Sequence, residues 1–238
     1  MQIDKDTQTL IDERIKNNAP PLESFSPQEL RALRAKMAET PEELRVFISH
    51  VKDFTLNGSL GSITVRKYFN ENSDTLINQK QPLIIYFHGG GFVMGDLESH
   101  DLVCRHLCKQ TNATIIAVDY RLAPEHKFPA AITDTIDAIT EIISRADEFN
   151  IDQNKVILCG DSAGGALATV GTIMSRDKLI PKVQGQILVY PWVDMTMCRR
   201  SMDIDLEGMI LNKKTIEYFA DHYLNSYEEQ VDWRASPL

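Results

Sequence analysis

The pentapeptide Gly160-Asp161-Ser162-Ala163-Gly164 constrains the fold of this chain more than any other segment. It follows an apolar run at 156–159 and precedes a segment of small residues with helical spacing. A G-x-S-x-G pattern between a strand and a helix is typical of a tight turn that exposes a reactive serine hydroxyl. Glycine is required at both ends because a Cβ at position 160 or 164 would collide with the neighbouring strand or helix. The alternative interpretation is a glycine-rich turn that only packs a helix against a strand.

A second glycine-rich segment, His88-Gly89-Gly90-Gly91-Phe92, follows the apolar run at 82–87. Three consecutive glycines leave backbone N–H groups open to a ligand, as acyl-transfer chemistry requires where a carbonyl oxygen becomes an oxyanion. We assign this oxyanion-binding role to the N–H groups of Gly90, Gly91 and Ala163. Phosphate binding is the alternative, but the segment does not match G-x-G-x-x-G, and no G-x-x-x-x-G-K-[ST] occurs.

Three further residues are interpreted as supports of these two segments rather than as reacting groups. We expect His88 and Gly89 to shape the glycine loop. We expect Asp161 to brace the turn around Ser162 through hydrogen bonds and not to serve as the catalytic acid. The segment Tyr120–Glu125 is interpreted as structural, with an ion pair predicted between Arg121 and Glu125.

Hydrophobic periodicity predicts an α/β fold. Apolar strands that alternate with helices imply a mostly parallel, twisted sheet with flanking helices. The Asn57-Gly58 turn signal predicts an antiparallel pair of strands at the start of the sheet, and the polar region 70–81 is predicted to be a surface loop. Strands are expected at 46–56, 62–69, 82–87, 113–118, 155–159 and 185–190, and helices within 1–45 and at 100–110, 129–149, 163–175 and 212–224.

Several motifs together resemble the hormone-sensitive-lipase-like esterases in order and spacing. They are His88-Gly-Gly-Gly-Phe92, Tyr120-Arg-Leu-Ala-Pro-Glu125, Gly160-Asp-Ser-Ala-Gly-Gly165, Leu188-Val-Tyr-Pro191 and Ala235-Ser-Pro-Leu238. The resemblance implies an α/β-hydrolase fold and a carboxylesterase of small-to-medium acyl esters, with Ser162 as nucleophile and no metal or organic cofactor. It also implies a helical cap, made of residues 1–45 and a segment near 195–225, on a core of residues 46–238.

The resemblance also implies a catalytic acid and a histidine that follow the nucleophile along the chain, and neither is found before Leu238. We therefore expect an incomplete core without its C-terminal strands and helices, and a chain that is nearly inert alone. After Ser162 the only histidine is His222, which we interpret as a packing or surface residue. A fragment of a longer protein, a partner chain that completes the sheet, and a degenerate relative are the three open explanations.

Two other functions on the same fold remain open. One is a catalytically dead relative that acts as a small-molecule-binding protein, and the other is a peptidase. His100, Cys104 and Cys108 have the spacing of one helix face and could mimic a metal site, but cysteines on an apolar face are usually part of a core.

Composition excludes several partners. The net charge of −9 argues against binding to nucleic acid or anionic membranes. No run is long enough to span a membrane, and the N-terminus lacks the pattern of a secretory signal. The four cysteines show no disulfide framework, so a cytoplasmic protein is expected. The expected partner is a small-molecule ester, with a homo-oligomer or a complementing C-terminal chain as further possibilities.

Overall fold

Six strands form one mixed sheet in the computed structural model, which describes residues 3–38, 44–70, 80–204 and 208–238. Their order is β1-β2-β4-β3-β5-β6. The pairs β1–β2 and β2–β4 are antiparallel, and the other three pairs are parallel. The predicted sheet, parallel except at its start, is therefore confirmed. The strands are β1 (His50–Gly58), β2 (Gly61–Phe69), β3 (Gln81–Phe87), β4 (Thr114–Asp119), β5 (Ile151–Asp161) and β6 (Gly185–Val189).

Six α-helices accompany the sheet in the described ranges. The second helix begins as its sequence predicts, because Ser26 and Glu29 form a capping box and Pro27 occupies the first turn. No helix of the described residues is both long and apolar enough to cross a membrane. The helices are α1 (Lys5–Lys16), α2 (Pro27–Met37), α3 (Asp101–Thr111), α4 (Ala130–Ser144), α5 (Ala163–Arg176) and α6 (Lys213–Tyr223), with 3₁₀ turns at Leu22–Ser24, Arg200–Asp203 and Tyr227–Val231.

The sheet separates two apolar cores, which explains the uninterrupted apolar run of β3. Leu83, Ile85 and Phe87 contribute to the larger core, whereas Ile84 and Tyr86 contribute to the smaller one. Successive side chains of a strand point to opposite faces, so a strand covered on both faces has no polar position. Helices α4 and α5 pack within the larger core, and α3 packs within the smaller one. The site described below lies at the carboxyl ends of β3 and β5.

Several local predictions differ from the structure or fall outside it. The strand predicted over 46–56 is His50–Gly58, and the strand predicted over 155–159 begins at Ile151 and ends at Asp161. The helix predicted over 129–149 ends at Ser144. Beyond that point Phe149 packs edge-on against Phe54, and its carbonyl accepts a hydrogen bond from Lys67 Nζ, so the chain turns toward β1 and β2 instead of continuing as a helix. Of the loop predicted over 70–81, residues 71–79 lie outside the described residues.

The predicted ion pair between Arg121 and Glu125 is wrong. Arg121 instead forms a bidentate ion pair with Asp134 of α4, with the closest N–O distance at 2.6 Å. Glu125 pairs with Arg31 of α2 at 2.7 Å. Both partners are distant in sequence, so nearest-neighbour reasoning could not find them.

Arg31 fixes helix α2 to the loops beside the glycine-rich segment. Its guanidinium donates to the carbonyl oxygens of Val93 and Ala123 at 2.8 Å and 2.6 Å, and both oxygens of Glu125 accept further hydrogen bonds. The Arg31 side chain is 29% exposed, so these bonds are only partly weakened by solvent. One side chain therefore connects the N-terminal helices to the body of the protein.

We expect Arg31→Ala to lower the free energy of unfolding by about 2 kcal/mol, because it leaves two backbone carbonyls and a carboxylate without their donors. Chemical denaturation measures the loss, and limited proteolysis should show earlier cleavage near α2. Arg176→Ala is the matched control, because Arg176 is 70% exposed and pairs only with the adjacent Asp177. Equal stability of the two variants would contradict the anchoring role.

Candidate active site

Ser162 lies at the sharp turn between β5 and α5. Its backbone has φ 52° and ψ −118°, which is rare for a residue with a side chain and marks stored strain. The Ser162 N–H donates to the carbonyl of Val189 at 2.9 Å, and the Ser162 carbonyl accepts from the N–H of Trp192 at 3.0 Å. The strained turn is therefore held from both sides by the segment at the end of β6.

The glycines at the two ends of the turn have no room for a side chain. A Cβ on Gly160 would lie 2.3 Å from the carbonyl oxygen of Gly164. A Cβ on Gly164 would lie 2.0 Å from the carbonyl oxygen of Phe87 and 2.6 Å from that of His88. All of these atoms belong to backbone, so the collision expected from the sequence pattern cannot be relieved by side-chain rotation.

The three-glycine loop leaves β3 and turns tightly. The N–H groups of Val93 and Met94 both donate to the carbonyl of Gly90, at 3.1 Å and 3.0 Å. Gly91 has φ +61°, and a Cβ there would lie 2.4 Å from the ring of Phe219. Among the described residues, no acceptor binds the N–H groups of Gly90, Gly91 or Ala163. Three backbone donors close to the turn are therefore unpaired within the described residues, and of these three residues Ala163 is fully buried.

A cavity of about 730 Å³ brings Ser162 and the glycine loop together. Its volume is in the range of sites that bind small molecules. The sheet side of the cavity carries Ser162, Gly90 and Gly91. The remaining wall is mostly apolar and is built by the N-terminal helices, by residues after β6 and by the segment around α6. These residues are Thr7, Leu10, Ile11, Arg14, Leu22, Arg34, Met94, Tyr190, Pro191, Trp192, Gly208, Met209, Ile210, Leu211, Ile216 and Phe219.

Asp161 connects the turn to the glycine loop. One of its carboxylate oxygens accepts hydrogen bonds from Tyr86 Oη at 2.6 Å and from the N–H of Gly89 at 2.9 Å. The other oxygen lies 3.6 Å from His100 Nε2. Burial raises the pKa of Asp161, but the proximity and charge of His100, together with the Tyr86 and Gly89 donors, outweigh it and hold the pKa below its usual value. The carboxylate is thus ionised beneath the loop and restrains it.

His88 is 2% exposed and lies between two other rings. Its imidazole stacks on Tyr120 at a centroid distance of 4.3 Å and on His100 at 5.4 Å. Nδ1 lies 2.8 Å from the carbonyl oxygen of Gly89, which places a donor proton on that nitrogen. Burial, followed by the proximity of His100, lowers the pKa of His88 to about 4. His88 is therefore neutral at pH 7 and contacts the backbone of the glycine loop.

This depressed pKa predicts how stability changes in acid. Between the usual pKa of 6.5 and the folded value of about 4, the unfolded chain binds a proton that the folded protein does not. The free energy of unfolding should therefore fall as the pH is lowered through this interval, with a His88 contribution of up to about 3 kcal/mol. His88→Asn, which retains a donor near the Gly89 carbonyl, should flatten the pH dependence measured by denaturation.

The control for this prediction is His126→Asn, because His126 is exposed and its loss should leave the slope unchanged. If the slopes of wild type and His88→Asn coincide between pH 4 and pH 6.5, the neutral state assigned to His88 is wrong.

None of the six histidines hydrogen-bonds to the Ser162 hydroxyl, and no other described residue does so. His222 instead directs Nδ1 to the carbonyl of Tyr218, one turn earlier in α6, at 2.8 Å. Cys104 and Cys108 are buried in the smaller core, where burial raises the pKa of both thiols. Among the described residues, no group of three His, Cys, Asp or Glu side chains could hold a metal ion.

The N-terminal helices and the segment around α6 meet on the far side of the cavity. Arg14 Nε donates to the carbonyl of Gly208 at 3.2 Å. Thr215 Oγ1 donates to Glu23 at 2.7 Å, and Tyr218 Oη donates to the carbonyl of Phe25 at 2.9 Å. Two segments almost 200 residues apart therefore form one layer over Ser162.

Sequence reasoning missed most of the cavity wall. The positions Thr7, Leu10, Ile11 and Arg14 of α1 all line the cavity and have the i, i+3, i+4, i+7 spacing of one helix face. That spacing is a usable signal for a helix face that packs toward the rest of the protein, although Ile11 is buried whereas Thr7 and Leu10 are exposed. It did not indicate which cavity the face would line, because the strands and helices over which α1 folds come much later in the chain.

Comparison with known proteins agrees with this architecture. The family described as the alpha/beta hydrolase fold matches residues 84–238. The carboxylic ester hydrolase LipN of Mycobacterium tuberculosis is 37% identical over 194 residues, which cover 79% of this chain and 50% of LipN. Ethyl acetate hydrolase of Pseudomonas putida is 33% identical over 214 residues, which cover 89% of this chain and 64% of the relative.

Solved structures show the same similarity. The thermophilic carboxylesterase EstE1, cloned from a metagenomic library, has a TM-score of 0.84 and 37% identity, with coverage of 90% of this chain and 73% of EstE1. The hyperthermophilic esterase of Pyrobaculum calidifontis has a TM-score of 0.85 and 32% identity, with coverage of 100% and 75%.

A serine on a strand-to-helix turn, beside a glycine loop at the carboxyl edge of a mostly parallel sheet, defines the α/β-hydrolase class. This chain belongs to the alpha/beta hydrolase fold family. Its similarity to enzymes named as esterases confirms the resemblance to the hormone-sensitive-lipase-like carboxylesterases. The chain spans between 45% and 64% of the length of four curated relatives that it matches.

Proposed function

We propose that this chain carries the nucleophile and the oxyanion-binding half of a serine carboxylesterase that cleaves small-to-medium acyl esters. The observation that carries the proposal is the shared cavity: Ser162 lies in its wall together with Gly90 and Gly91. The unpaired N–H groups of these two glycines and of Ala163 supply the donors that a developing oxyanion needs. The relatives named as esterases agree with this chemistry.

In the proposed reaction, the Ser162 oxygen attacks the ester carbonyl carbon while a general base removes the hydroxyl proton. The carbonyl oxygen becomes an oxyanion that accepts hydrogen bonds from Gly90, Gly91 and Ala163. Collapse of this intermediate breaks the bond to the alcohol, which leaves with the proton from the base. Water then adds to the acyl-enzyme by the same route, releasing the acid and restoring Ser162. No metal or organic cofactor takes part.

The proposal assigns His88, Gly89 and Asp161 to positioning. Asp161 accepts a hydrogen bond from the Gly89 N–H, and His88 Nδ1 lies within hydrogen-bond distance of the Gly89 carbonyl. The backbone on both sides of Gly89 is therefore restrained. A donor placed before the reaction stabilises charge without a cost of reorganisation. The family resemblance assigns the general base and its acid to segments of the relatives beyond the part that this chain matches. Full turnover is expected only in their presence.

We also propose the division of the chain implied by the resemblance. Residues 1–45 and the segment near 195–225 form a cap that shapes the acyl pocket, and residues 46–238 form the core. The hydrogen bonds between Arg14 and Gly208 and between Thr215 and Glu23 support this division. Residues 39–43 and 205–207 of these ranges lie outside the described residues. The four free cysteines, three of them buried, agree with the proposed cytoplasmic location.

A second candidate function is a small-molecule-binding protein that has no catalytic turnover. It is favoured by one observation, that no histidine among the described residues contacts the Ser162 hydroxyl. The same cavity would then bind a ligand without cleaving it, since a fold alone does not settle function. A peptidase on the same fold would differ in cleaving amide bonds.

One experiment separates these functions. The chain is incubated, alone and in a form that also contains the catalytic acid and histidine, with a fluorophosphonate and with 4-nitrophenyl butyrate, and the labelled residue is identified by peptide mass spectrometry. Because the chain alone lacks the general base, the second form decides between turnover and binding. Labelling at Ser162 together with nitrophenolate release supports the esterase. Tight binding of small esters with neither labelling nor release supports the binding protein, and cleavage of a peptide panel in preference to esters supports the peptidase.

A further inference from the structure

The charges that line the Ser162 cavity all have one sign. Among the described residues of its wall, the charged side chains are Arg14 and Arg34, and no carboxylate is present. The whole chain has 34 acidic and 25 basic residues, so a wall chosen without regard to charge would carry more carboxylates than cations. The other wall residues are apolar or uncharged. Two cations therefore face an otherwise apolar space beside the nucleophile.

Neither guanidinium forms an ion pair within the described residues. The guanidinium of Arg14 donates one hydrogen bond, from Nε to the carbonyl of Gly208, and the guanidinium of Arg34 donates none to a described residue. Both side chains are half-buried. A partly desolvated guanidinium offers paired donors whose spacing matches the two oxygens of a carboxylate. Arg34 has more donors available for a ligand than Arg14, because Arg14 already donates a hydrogen bond to Gly208 of the cavity wall.

Arg34 also borders a second cleft, of about 480 Å³. That cleft is lined by Asp96, Asp119 and Glu125 as well as by Arg31 and Arg121. Glu125 is bound by Arg31, Asp96 accepts from the N–H of Ser99, and none of the three carboxylates lies within ion-pair distance of Arg34. An anion that approaches Arg34 through the cleft is repelled by these carboxylates, whereas one that approaches through the Ser162 cavity does not pass them.

The position of Arg34 also affects the residue that follows β6. Burial and the charge of Asp161 raise the pKa of Tyr190, and the charge of Arg34 acts in the opposite direction. Tyr190 lines the same cavity and directly follows Val189, whose carbonyl accepts the N–H of Ser162. The guanidinium is therefore within electrostatic reach of the wall next to the nucleophile.

We propose that the substrate of this site is an ester that carries a carboxylate, held by Arg34 with Arg14 in support while Ser162 attacks the ester group. This inference rests on the proposed esterase function and names its substrate class. The apolar wall contacts the chain that separates the ester from the carboxylate. Half-esters of dicarboxylic acids have this chemistry on the acyl side, and esters of carboxylated alcohols have it on the alcohol side.

Matched substrates test the proposal. On the acyl side, 4-nitrophenyl hydrogen adipate is compared with 4-nitrophenyl 6-methylheptanoate, in which an isopropyl group replaces the carboxylate. On the alcohol side, 4-carboxyphenyl butyrate is compared with 4-isopropylphenyl butyrate. We expect kcat/KM, or the rate of acyl transfer to Ser162, to favour the anionic member of at least one pair by about tenfold or more.

Variants connect this preference to Arg34. Arg34→Gln should reduce the anionic-to-neutral ratio by about tenfold, and Arg34→Lys should retain part of it, because an ammonium keeps the charge but loses the fork geometry. Arg176→Gln is the control, since Arg176 lies outside the cavity and pairs with Asp177. A wild-type ratio near one in both pairs, or a ratio that Arg34→Gln does not change, would overturn the proposal while leaving the esterase function intact.

A binding measurement makes the outcome independent of turnover. Calorimetric titration compares the binding of adipic acid monoanilide with that of the anilide of 6-methylheptanoic acid. Both compounds are amides, which an esterase cleaves poorly. Tighter binding of the anionic anilide, lost in Arg34→Gln, supports the assignment even if no ester is hydrolysed. The esterase proposal alone has failed if hydrolysis is also absent when the catalytic acid and histidine are present. Equal or weaker binding of the anionic anilide counts against the assignment whatever the turnover shows.

Discussion

Ser162→Ala is expected to abolish both covalent labelling by a fluorophosphonate and the hydrolysis of activated esters. The methyl side chain cannot form the acyl-enzyme, so the reaction loses its two-step route. In the protein that contains the catalytic acid and histidine, the fall in kcat should approach about 10⁶. Preorganised oxyanion donors and the binding cavity can leave a residual acceleration of about 10³ over water. Burst kinetics with 4-nitrophenyl butyrate measure the loss of acyl-enzyme formation, and steady-state rates measure the fall in kcat.

The matched control for this substitution is Ser144→Ala. Ser144 is exposed at the end of α4 and donates a hydrogen bond only to the carbonyl of Glu141. Its replacement should leave labelling and turnover unchanged. Turnover that survives in Ser162→Ala at the wild-type rate, or a label found on another residue, would refute the assignment of the nucleophile. The stability of Ser162→Ala should not fall, because no described residue hydrogen-bonds to the Ser162 hydroxyl.

Gly164→Ala is expected to destabilise the protein strongly, because the added methyl group meets the backbone of two residues. Its Cβ would lie 2.0 Å from the carbonyl oxygen of Phe87 and 2.6 Å from that of His88. The start of α5 would have to move away from the end of β3, which separates Ser162 from the glycine loop. We expect a loss of at least about 3 kcal/mol in the free energy of unfolding, or failure to fold. Thermal and chemical denaturation measure this loss.

Gly171→Ala provides the matched control within the same helix. A Cβ on Gly171 would lie 2.8 Å from Ile139 Cδ1 and from Leu158 Cδ1. These are the ends of flexible side chains, which can rotate, and alanine favours the helix by about 1 kcal/mol over glycine. The net change in stability should therefore be within about 1 kcal/mol of zero. Comparable destabilisation by the two substitutions would show that helix packing in general, and not the turn at Ser162, limits position 164.

The site segments could be found from the sequence because each is a short, continuous stretch with a geometric requirement. Gly160 is needed by a backbone contact within the strand–turn–helix unit, and Gly164 by the backbone at the end of the neighbouring strand β3, so their spacing is fixed wherever such a unit packs beside such a strand. The bounds of β3 and α5 follow in the same way from apolar runs and small residues, whereas β5 begins at Ile151, before the apolar run that predicted it. In contrast, α4 ends earlier than its periodicity indicates, because Phe149, which follows the helix, packs against Phe54 of β1.

Long-range partners of charged residues could not be predicted in this way. Local reasoning paired Arg121 with Glu125, which lies four positions away, whereas the fold pairs them with Asp134 and Arg31. The hydrogen bond between Asp161 and the Gly89 N–H joins residues 72 positions apart. Such contacts depend on which strand ends lie side by side in the sheet. The same local pattern of charges is compatible with many different pairings.

The sequence by itself determined the fold class and indicated the turn at Ser162 and the glycine loop, because hydrophobic periodicity and glycine spacing belong to short continuous segments. The tertiary structure decided what surrounds them. The tertiary structure placed α1, α2 and the segment around α6 over Ser162. It also put Arg14 and Arg34 in the mostly apolar cavity wall, and it brought Asp161 to the Gly89 N–H of the glycine loop. The physical reason is that burial and the charge around a site depend on where distant segments pack, and helical periodicity specifies only that a face is buried.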